Sequence, residues 1–358
     1  MNHDQDSLRA WIDIDLGALV RNGEKLARHA GVPLLPMVKA DAYGLGVGPV
    51  ARALEALDPA GFGVATCDEG HELRALGVAR QILVFTPVLP LDFRAARESN
   101  LTPCLGDAHS IAQWTASGGE AWHLAIDTGM HRAGVRWDRI ADVADAVRAH
   151  PPAGAFTHFH SSECDDGSLE RQEARFRDAL AALPARPALL HAENSGAIAR
   201  RSPSTWSFVR PGVFLYGVGS GAGAAIHPEP VAHLRARVVD VHDLQPGDTV
   251  SYGASWTAAA PTRVATVAAG YADGYRRSLG NAGTALLGGR RVRVAGTVTM
   301  DMTMLDVTGA PCAPGDVVTL MGRDGGELIT AEDVGAACGL SPYEVLTGLR
   351  QRLARLHA

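Results

Sequence analysis

The chain's 358 residues exceed what one ordinary core organises, so either two domains or a large α/β barrel with an addition is expected. Hydrophobic residues make up 46% and charged residues 20%, an ordinary balance for a soluble globular protein, and the net charge of -6 excludes a nucleic-acid-coating role, which needs a basic field. No stretch of about 18 apolar residues argues for a membrane span, no basic and apolar leader opens the chain, and the five scattered cysteines (Cys67, Cys104, Cys164, Cys312, Cys338) show neither a disulfide framework nor CxxC spacing. A cytoplasmic protein with reduced thiols, no nucleic-acid partner and no membrane partner is the expectation.

After MNHDQDSLRAWIDID, short apolar runs alternate with stretches of helical period from about Leu34 to Gly217. The runs are PLLPMVK, GFGVAT, QILVFT, LTPCL, HLAID, GAFTHFH, ALLHAENS and VRPGVFLYG. Between them, segments such as VGPVARALEALD, DEGHELRALG and RQEARFRDALAAL place apolar residues at i, i+3 and i+4. Alternating buried strands and amphipathic helices imply a parallel sheet, and eight repeats imply closure as a TIM-type (β/α)8 barrel, with a doubly wound open sheet as the alternative. GVGSGAGAAIHPEP then reads as a surface connection. Beyond it, β-rich runs separated by QPGD, LGGR and APGD predict a mostly antiparallel C-terminal β domain. Two helices are expected to close the chain, one from about Thr330 (TAEDVGAACG) and one from about Ser341 (SPYEVLTGLRQRLARL), each opening on an N-cap residue. The division expected is 15–225 for the barrel and 226–358 for the β domain.

Barrel enzymes carry their chemistry at the carboxyl ends of the strands. Those ends hold Lys39, Asp127 to Arg132, His158, Asn194 with Ser195, and Arg210 with Gly212. The set has cations and a histidine but neither paired carboxylates nor metal-ligand spacing, so glycoside hydrolysis and metal-dependent hydrolysis are poor fits and no metal is expected. A lysine leaving a buried strand is a candidate Schiff-base amine, although such a lysine taken alone is more often ion-paired or solvated.

MVKADAYGLG (residues 37–46) resembles the pyridoxal phosphate attachment segment of the alanine racemase family. The likeness continues, in the family's order and over nearly the whole chain, through IDTGMHRAG, FTHF, ENSGA, VRPGVFLYG, SYGASW, AAGYADG and TVTMDM. The resemblance implies a fold-type III barrel that takes pyridoxal 5'-phosphate, a small amino-acid substrate, and a head-to-tail homodimer that shares its sites. It also implies that strand 8–14 (AWIDI within it) joins the second domain. Lys39 then matches the lysine that holds the cofactor and serves one face of the substrate Cα, and Tyr252 matches the base of the opposite face, presented by the partner. Two bases on opposite faces suit racemisation, and each needs a cationic setting to work from an ordinary pKa of about 10. His158 and Arg210 match the groups that support the tyrosine. Arg210 also matches the donor to the pyridine nitrogen, where a guanidinium prevents ring protonation and so weakens the electron sink. Tyr43, Asn194, Ser195, Gly212 and Val213 match the phosphate contacts. Arg132 and the Met300 amide match substrate-carboxylate contacts, Asp301 beside Met300 could equally be a turn residue, and Tyr271 matches an entrance tyrosine.

Three positions depart from the family's pattern. Ala125 stands where many members carry a carbamylated lysine, which would leave Arg132 without an anion and suggests a bound small anion such as chloride. Thr297 replaces an arginine, and the C-terminal tyrosine is replaced near Gln351. Both changes shorten entrance side chains, so a substrate range beyond alanine, reaching serine and larger amino acids, is expected. A related fold-type III decarboxylase or specialised racemase, and a non-catalytic cofactor-binding homeostasis protein, are the alternatives. The first lacks its cysteine-centred motif here, and relatives of the second kind are bare barrels.

Overall fold

The computed structural model describes residues 7–358. Strand β1 (Ala10–Ile14) is followed by a helix, Leu16–Ala30, whose first turn is capped by the Asp15 carboxylate and whose end is closed by Gly31 in the left-handed conformation. The chain then lays down β2 (Phe62–Val64), β3 (Ile82–Val84), β4 (Thr102–Leu105), β5 (His123–Asp127), β6 (Val135–Arg136), β7 (Gly154–Phe156) and β8 (Leu189–His191). All pair in parallel in the order β2-β3-β4-β5-β7-β8, with β6 beside β5. They are buried because helices cover them, as parallel sheets require.

Two further staves, around residues 34–37 and 209–210, bring the curled sheet round on itself. Parallel bridges join Met37 to Gly63, Leu34 to Val209 and Asn194 to Arg210, completing an eight-stave ring. These two staves form single bridges rather than ladders because Pro33, Pro36 and Pro211 bring no N–H to the edge. The carbonyls of the same prolines still accept, from the Val209, Gly63 and Met37 amides respectively.

The second sheet comprises β1, β9 (Ala232–Leu244), β12 (Thr262–Val267), β13 (Thr284–Leu287), β14 (Arg290–Val294), β15 (Thr303–Asp306), β16 (Val317–Asp324), β17 (Glu327–Ile329) and β18 (Ala354–His357). A separate hairpin pairs β10 (Thr249–Val250) with β11 (Trp256–Thr257). The path β16-β13-β14-β15-β12-β9 returns to β16, so six antiparallel strands form a closed circuit without free edges. β1 sits antiparallel to β9 on one side and parallel to β18 on the other.

Two closing helices, Ala331–Cys338 and Pro342–Thr347, open on complete capping boxes from Thr330 with Asp333 and Ser341 with Glu344. The helix expected across SPYEVLTGLRQRLARL therefore stops at Thr347. The chain turns at Gly348, and its last residues join β1 as β18, because a buried sheet position outweighs their helical propensity. Among the described residues no helix is long and apolar enough to cross a membrane.

Candidate active site

A cavity of about 830 Å³ opens at the carboxyl ends of the parallel strands. Nine of the residues singled out from sequence line it: Lys39, Tyr43, Arg132, His158, Asn194, Ser195, Arg210, Gly212 and Val213. Tyr252 and Met300 do not. These residues are 73% and 51% exposed on loops beyond the barrel, so one chain does not bring them to Lys39.

Lys39 stands at the head of an unusual turn. Ala40, Asp41, Ala42 and Tyr43 all have φ between 53° and 57°, a left-handed helical turn made without glycine. Each such residue costs about 1–2 kcal/mol, so the turn persists only because its surroundings hold it. The Glu69 carboxylate supplies one hold, accepting from the Ala40 amide at 2.7 Å and the Ala65 amide at 2.6 Å while it closes the capping box of helix Cys67–Ala75. The Asp41 carboxylate supplies another, accepting from the Val47 amide at 2.7 Å. Burial, reinforced by the Arg132 charge, lowers the Lys39 pKa against the weaker pull of Glu69.

At the far end of the cavity the groups available are donors. The Asn194 side chain caps helix Ser195–Arg200 by accepting from the Ala197 amide, and the Ser195 hydroxyl oxygen accepts from the Gly212 and Phe214 amides. With its lone pairs so engaged, the Ser195 O–H points its hydrogen elsewhere. The Tyr43 ring stacks on Tyr216 at 4.6 Å, and burial pushes its phenol pKa well up, so it stays a neutral donor. A Cβ on Gly212 would lie 2.5 Å from the Tyr43 oxygen, and one on Gly196 would lie 2.5 Å from Ser162 Oγ, so the wall can approach a ligand closely only with glycine there. Hydroxyls, free amides at a helix start and glycine close approach suit a phosphate, and the amine on Lys39 suits an aldehyde. The residues present fit pyridoxal phosphate.

Between these ends lies Arg210, 3% exposed and without a carboxylate partner among the described residues. It donates to Thr157 O (2.8 Å), Ala192 O (3.0 Å) and His191 Nδ1 (2.9 Å), with His158 Nδ1 at 3.5 Å. Burial pulls the guanidinium down to about 10. His158 is pushed down to about 3 by burial together with the charges of Arg210, Arg132 and Lys39, so its imidazole is neutral. Three cations around one cavity make a field that an anionic ligand relieves.

The departures from the family's pattern look different in three dimensions. Ala125 packs with Cys104, Phe156 and Phe85, an apolar patch of the cavity wall. Arg132 is exposed, so the anion expected there loses the buried, unpaired cation on which that expectation was built. Gln351 is exposed and away from the cavity, whereas Tyr343, unremarked in the sequence, lines it together with Pro342 and Thr347. Thr297 ties the Tyr252 turn in place. Its hydroxyl donates to Tyr252 O (3.2 Å) and its carbonyl accepts from Ser251 Oγ (2.7 Å). Sequence reasoning also passed over Glu69, Ser162 and His191, whose only signals were a helix-start motif and a histidine inside a buried strand.

Two family descriptions cover the chain, "Alanine racemase, N-terminal domain" over residues 14–220 and "Alanine racemase, C-terminal domain" over 231–357. The chain is 36% identical to an alanine racemase of Citrifermentans bemidjiense over 374 residues, covering 98% of each. Its fold is similar to that of an alanine racemase from E. faecalis, with a TM-score of 0.92, 30% identity and 98% of each chain covered. It is also similar to an alanine racemase from Bartonella henselae with covalently bound pyridoxal phosphate, with a TM-score of 0.90, 28% identity, and 98% and 100% of the two chains covered. Over both of its sheets, this chain belongs to the alanine racemase family.

Proposed function

We propose that this chain interconverts L- and D-alanine with pyridoxal 5'-phosphate held in the barrel cavity. The observation that carries the reading is the convergence of a pKa-lowered Lys39, a buried Arg210 with no ion-pair partner among the described residues, and the donor groups of Tyr43, Ser195 and Val213 in one cavity. Bound through the Lys39 amine, the cofactor supplies a conjugated ring that spreads the charge left on Cα when a proton departs. Released when the substrate's amine takes its place, Lys39 Nζ would take or return that proton on one face, and burial beside Arg132 favours the neutral amine that this needs. Arg210, which lines the cavity and only donates, would hold the ring nitrogen without protonating it. With Arg210 facing its Nδ1, His158 presents Nε2–H outward, suited to hold a phenolate oxygen. Arg132 orients the substrate carboxylate.

The second face is served by Tyr252 of a second copy. Tyr252, Met300, Met302 and Tyr271 are exposed on loops that adjoin the second sheet and the β10–β11 hairpin. Their loops are stitched by the Tyr271 and Ala272 amides donating to Thr299 O and Met300 O, and the Met300 amide is not used within the described chain. A homodimer that seats this face over the partner's cavity completes the site, and its units are residues 15–225, and 226–358 with strand 8–14. The location consistent with this chemistry is the cytoplasm. Thr297 and the displacement of Gln351 from the cavity support a substrate range reaching serine and larger amino acids. The test is purification without added cofactor. A visible absorbance band lost in Lys39→Ala, with Cα hydrogen exchange of alanine in heavy water abolished by the same change, is expected; exchange that survives Lys39→Ala overturns the reading.

A further inference from the structure

Beneath the cavity wall lie two histidines that the chemistry above does not use. Behind Arg210, His191 Nδ1 lies 2.9 Å from Nη1, and His191 Nε2 lies 2.9 Å from Nδ1 of His123. Both rings are fully buried. His191 is sandwiched between Phe208 (4.4 Å between ring centres) and Phe156 (5.1 Å), and Arg210 lies over Phe156 and Phe85. The neighbouring strand makes room for the outer ring, since a Cβ on Gly154 would stand 2.5 Å from His123 Cε1.

Proton positions follow from this geometry. A guanidinium has donors only, so His191 Nδ1 must be the bare acceptor. Burial and the Arg210 charge push both imidazoles toward neutrality, with His123 adding to the effect on His191 and His123 itself brought down to about 4. A neutral His191 bare at Nδ1 carries its hydrogen on Nε2, which then donates to a bare His123 Nδ1. His123 must therefore carry its own hydrogen on Nε2, a buried atom that meets no acceptor among the described residues. The hydrogen bonds all run one way, and an orphaned donor at the end is the cost.

We propose that His123 is a positioning residue: it ends a one-way donor chain, Arg210 to His191 to His123, that locks His191 in the Nε2–H tautomer and so keeps an acceptor aimed at the Arg210 guanidinium. Without an acceptor at His123, His191 is free to carry its hydrogen on Nδ1, which sets two donors face to face 2.9 Å apart and turns Arg210 away. The consequence for catalysis rests on the function proposed above, whereas the tautomer itself does not.

Two near-isosteric substitutions separate the acceptor from the ring's bulk. His123→Asn keeps an oxygen at the Nδ1 position, and His123→Leu does not, while both vacate the outer half of the imidazole. The holoenzyme labelled with 15N-histidine reports the tautomer directly. His191 is expected to show a pyridine-type Nδ1 and a pyrrole-type Nε2 in wild type and His123→Asn, and to lose that pattern in His123→Leu. The kcat of His123→Leu is expected to fall about tenfold below that of His123→Asn with KM little changed, as for loss of one hydrogen bond to a charged group. A protonated Nδ1 on His191, an imidazolium signal from either ring at pH 8, or equal kcat in the two variants overturns the proposal. A wild-type enzyme that shows the expected nitrogen pattern but does not racemise alanine would instead overturn the function proposed above.

Discussion

Gly212→Ala tests the cofactor cradle at its tightest point. The new Cβ would lie 2.5 Å from the Tyr43 oxygen, where ordinary contact begins at 3.4 Å, so the phenol must retreat by about 0.9 Å. It has little room to do so, because the ring is buried and stacked on Tyr216 at 4.6 Å. Forcing a methyl into a packed wall costs about 1–3 kcal/mol, and displacing the phenol also removes one donor from the anion end, worth about 0.5–1.5 kcal/mol. Cofactor Kd, followed by absorbance as apoprotein is titrated with pyridoxal phosphate, should rise by at least about tenfold. The double variant Gly212→Ala/Tyr43→Phe separates the two terms. With the oxygen gone the methyl meets Cζ at 3.3 Å, so the two changes should cost less together than their sum by about 1 kcal/mol. A Kd for Gly212→Ala within twofold of wild type, or strict additivity in the cycle, would refute the reasoning.

Mixing Lys39→Ala with Tyr252→Phe chains tests the shared site: each is expected to be inactive alone, and random re-pairing should restore about a quarter of wild-type sites, since half the dimers carry one intact site of two. No recovery after verified exchange of subunits would sink the two-chain site. Thr297→Val removes the hydroxyl that donates to Tyr252 O and should lower kcat several-fold with KM little changed; unchanged steady-state kinetics would show that the turn holds itself. Asp273, fully buried, accepts from Arg9 at 2.7 Å and from Arg352 at 2.8 and 2.9 Å. Burial pushes its carboxyl up, but Arg352, the Gly270 amide and Arg9 outweigh it and hold the pKa below the usual range. Its stabilisation is thus present above about pH 4 and lost as pH falls through the lowered value. Asp273→Asn should cost about 2–3 kcal/mol at pH 7, less than a fully buried pair because both arginines are partly solvated, and denaturant melts should show the gap to wild type closing in acid. An equal gap at pH 7 and pH 3 would contradict this. Rates across a panel of L-amino acids test the widened range, and turnover of alanine alone would refute it.

The barrel was legible because its strands are short, wholly apolar runs set between helices of clear period, and a run such as QILVFT has few other uses. Its closing staves are less regular than that pattern promised, since the prolines of PLLPMVK and VRPG limit their pairing to single bridges. The last helix was misread in extent because LRQRLARL has helical periodicity while its partner, β1, lies more than 340 residues away in sequence. At the site, motif-bearing residues such as Lys39, Ser195 and Arg210 could be picked out because each stands at a strand end in a distinctive local string. Glu69 and Tyr343 could not. A carboxylate in a capping box and an aromatic in a short helix usually have purely local explanations, and nothing in KADAYG advertises a left-handed turn. His191 was hidden for a different reason, since a histidine in a buried strand gives no hint of which nitrogen carries its hydrogen.

The placement of β1 between β9 and β18 has a consequence for biosynthesis. The parallel barrel is, in effect, a long insertion within another domain's sheet, and the opening strand leaves the ribosome some 220 residues before β9 can receive it. At ordinary elongation rates that wait is on the order of 10–40 s, during which an apolar segment, AWIDI, lacks its native neighbours. Its other flank is covered only when β18 has been made, more than 340 residues later. Chaperone dependence and misassembly in this protein should therefore trace to strand β1, and a circular permutant that starts at the barrel and carries β1 after β18 should be made more cleanly than the natural order.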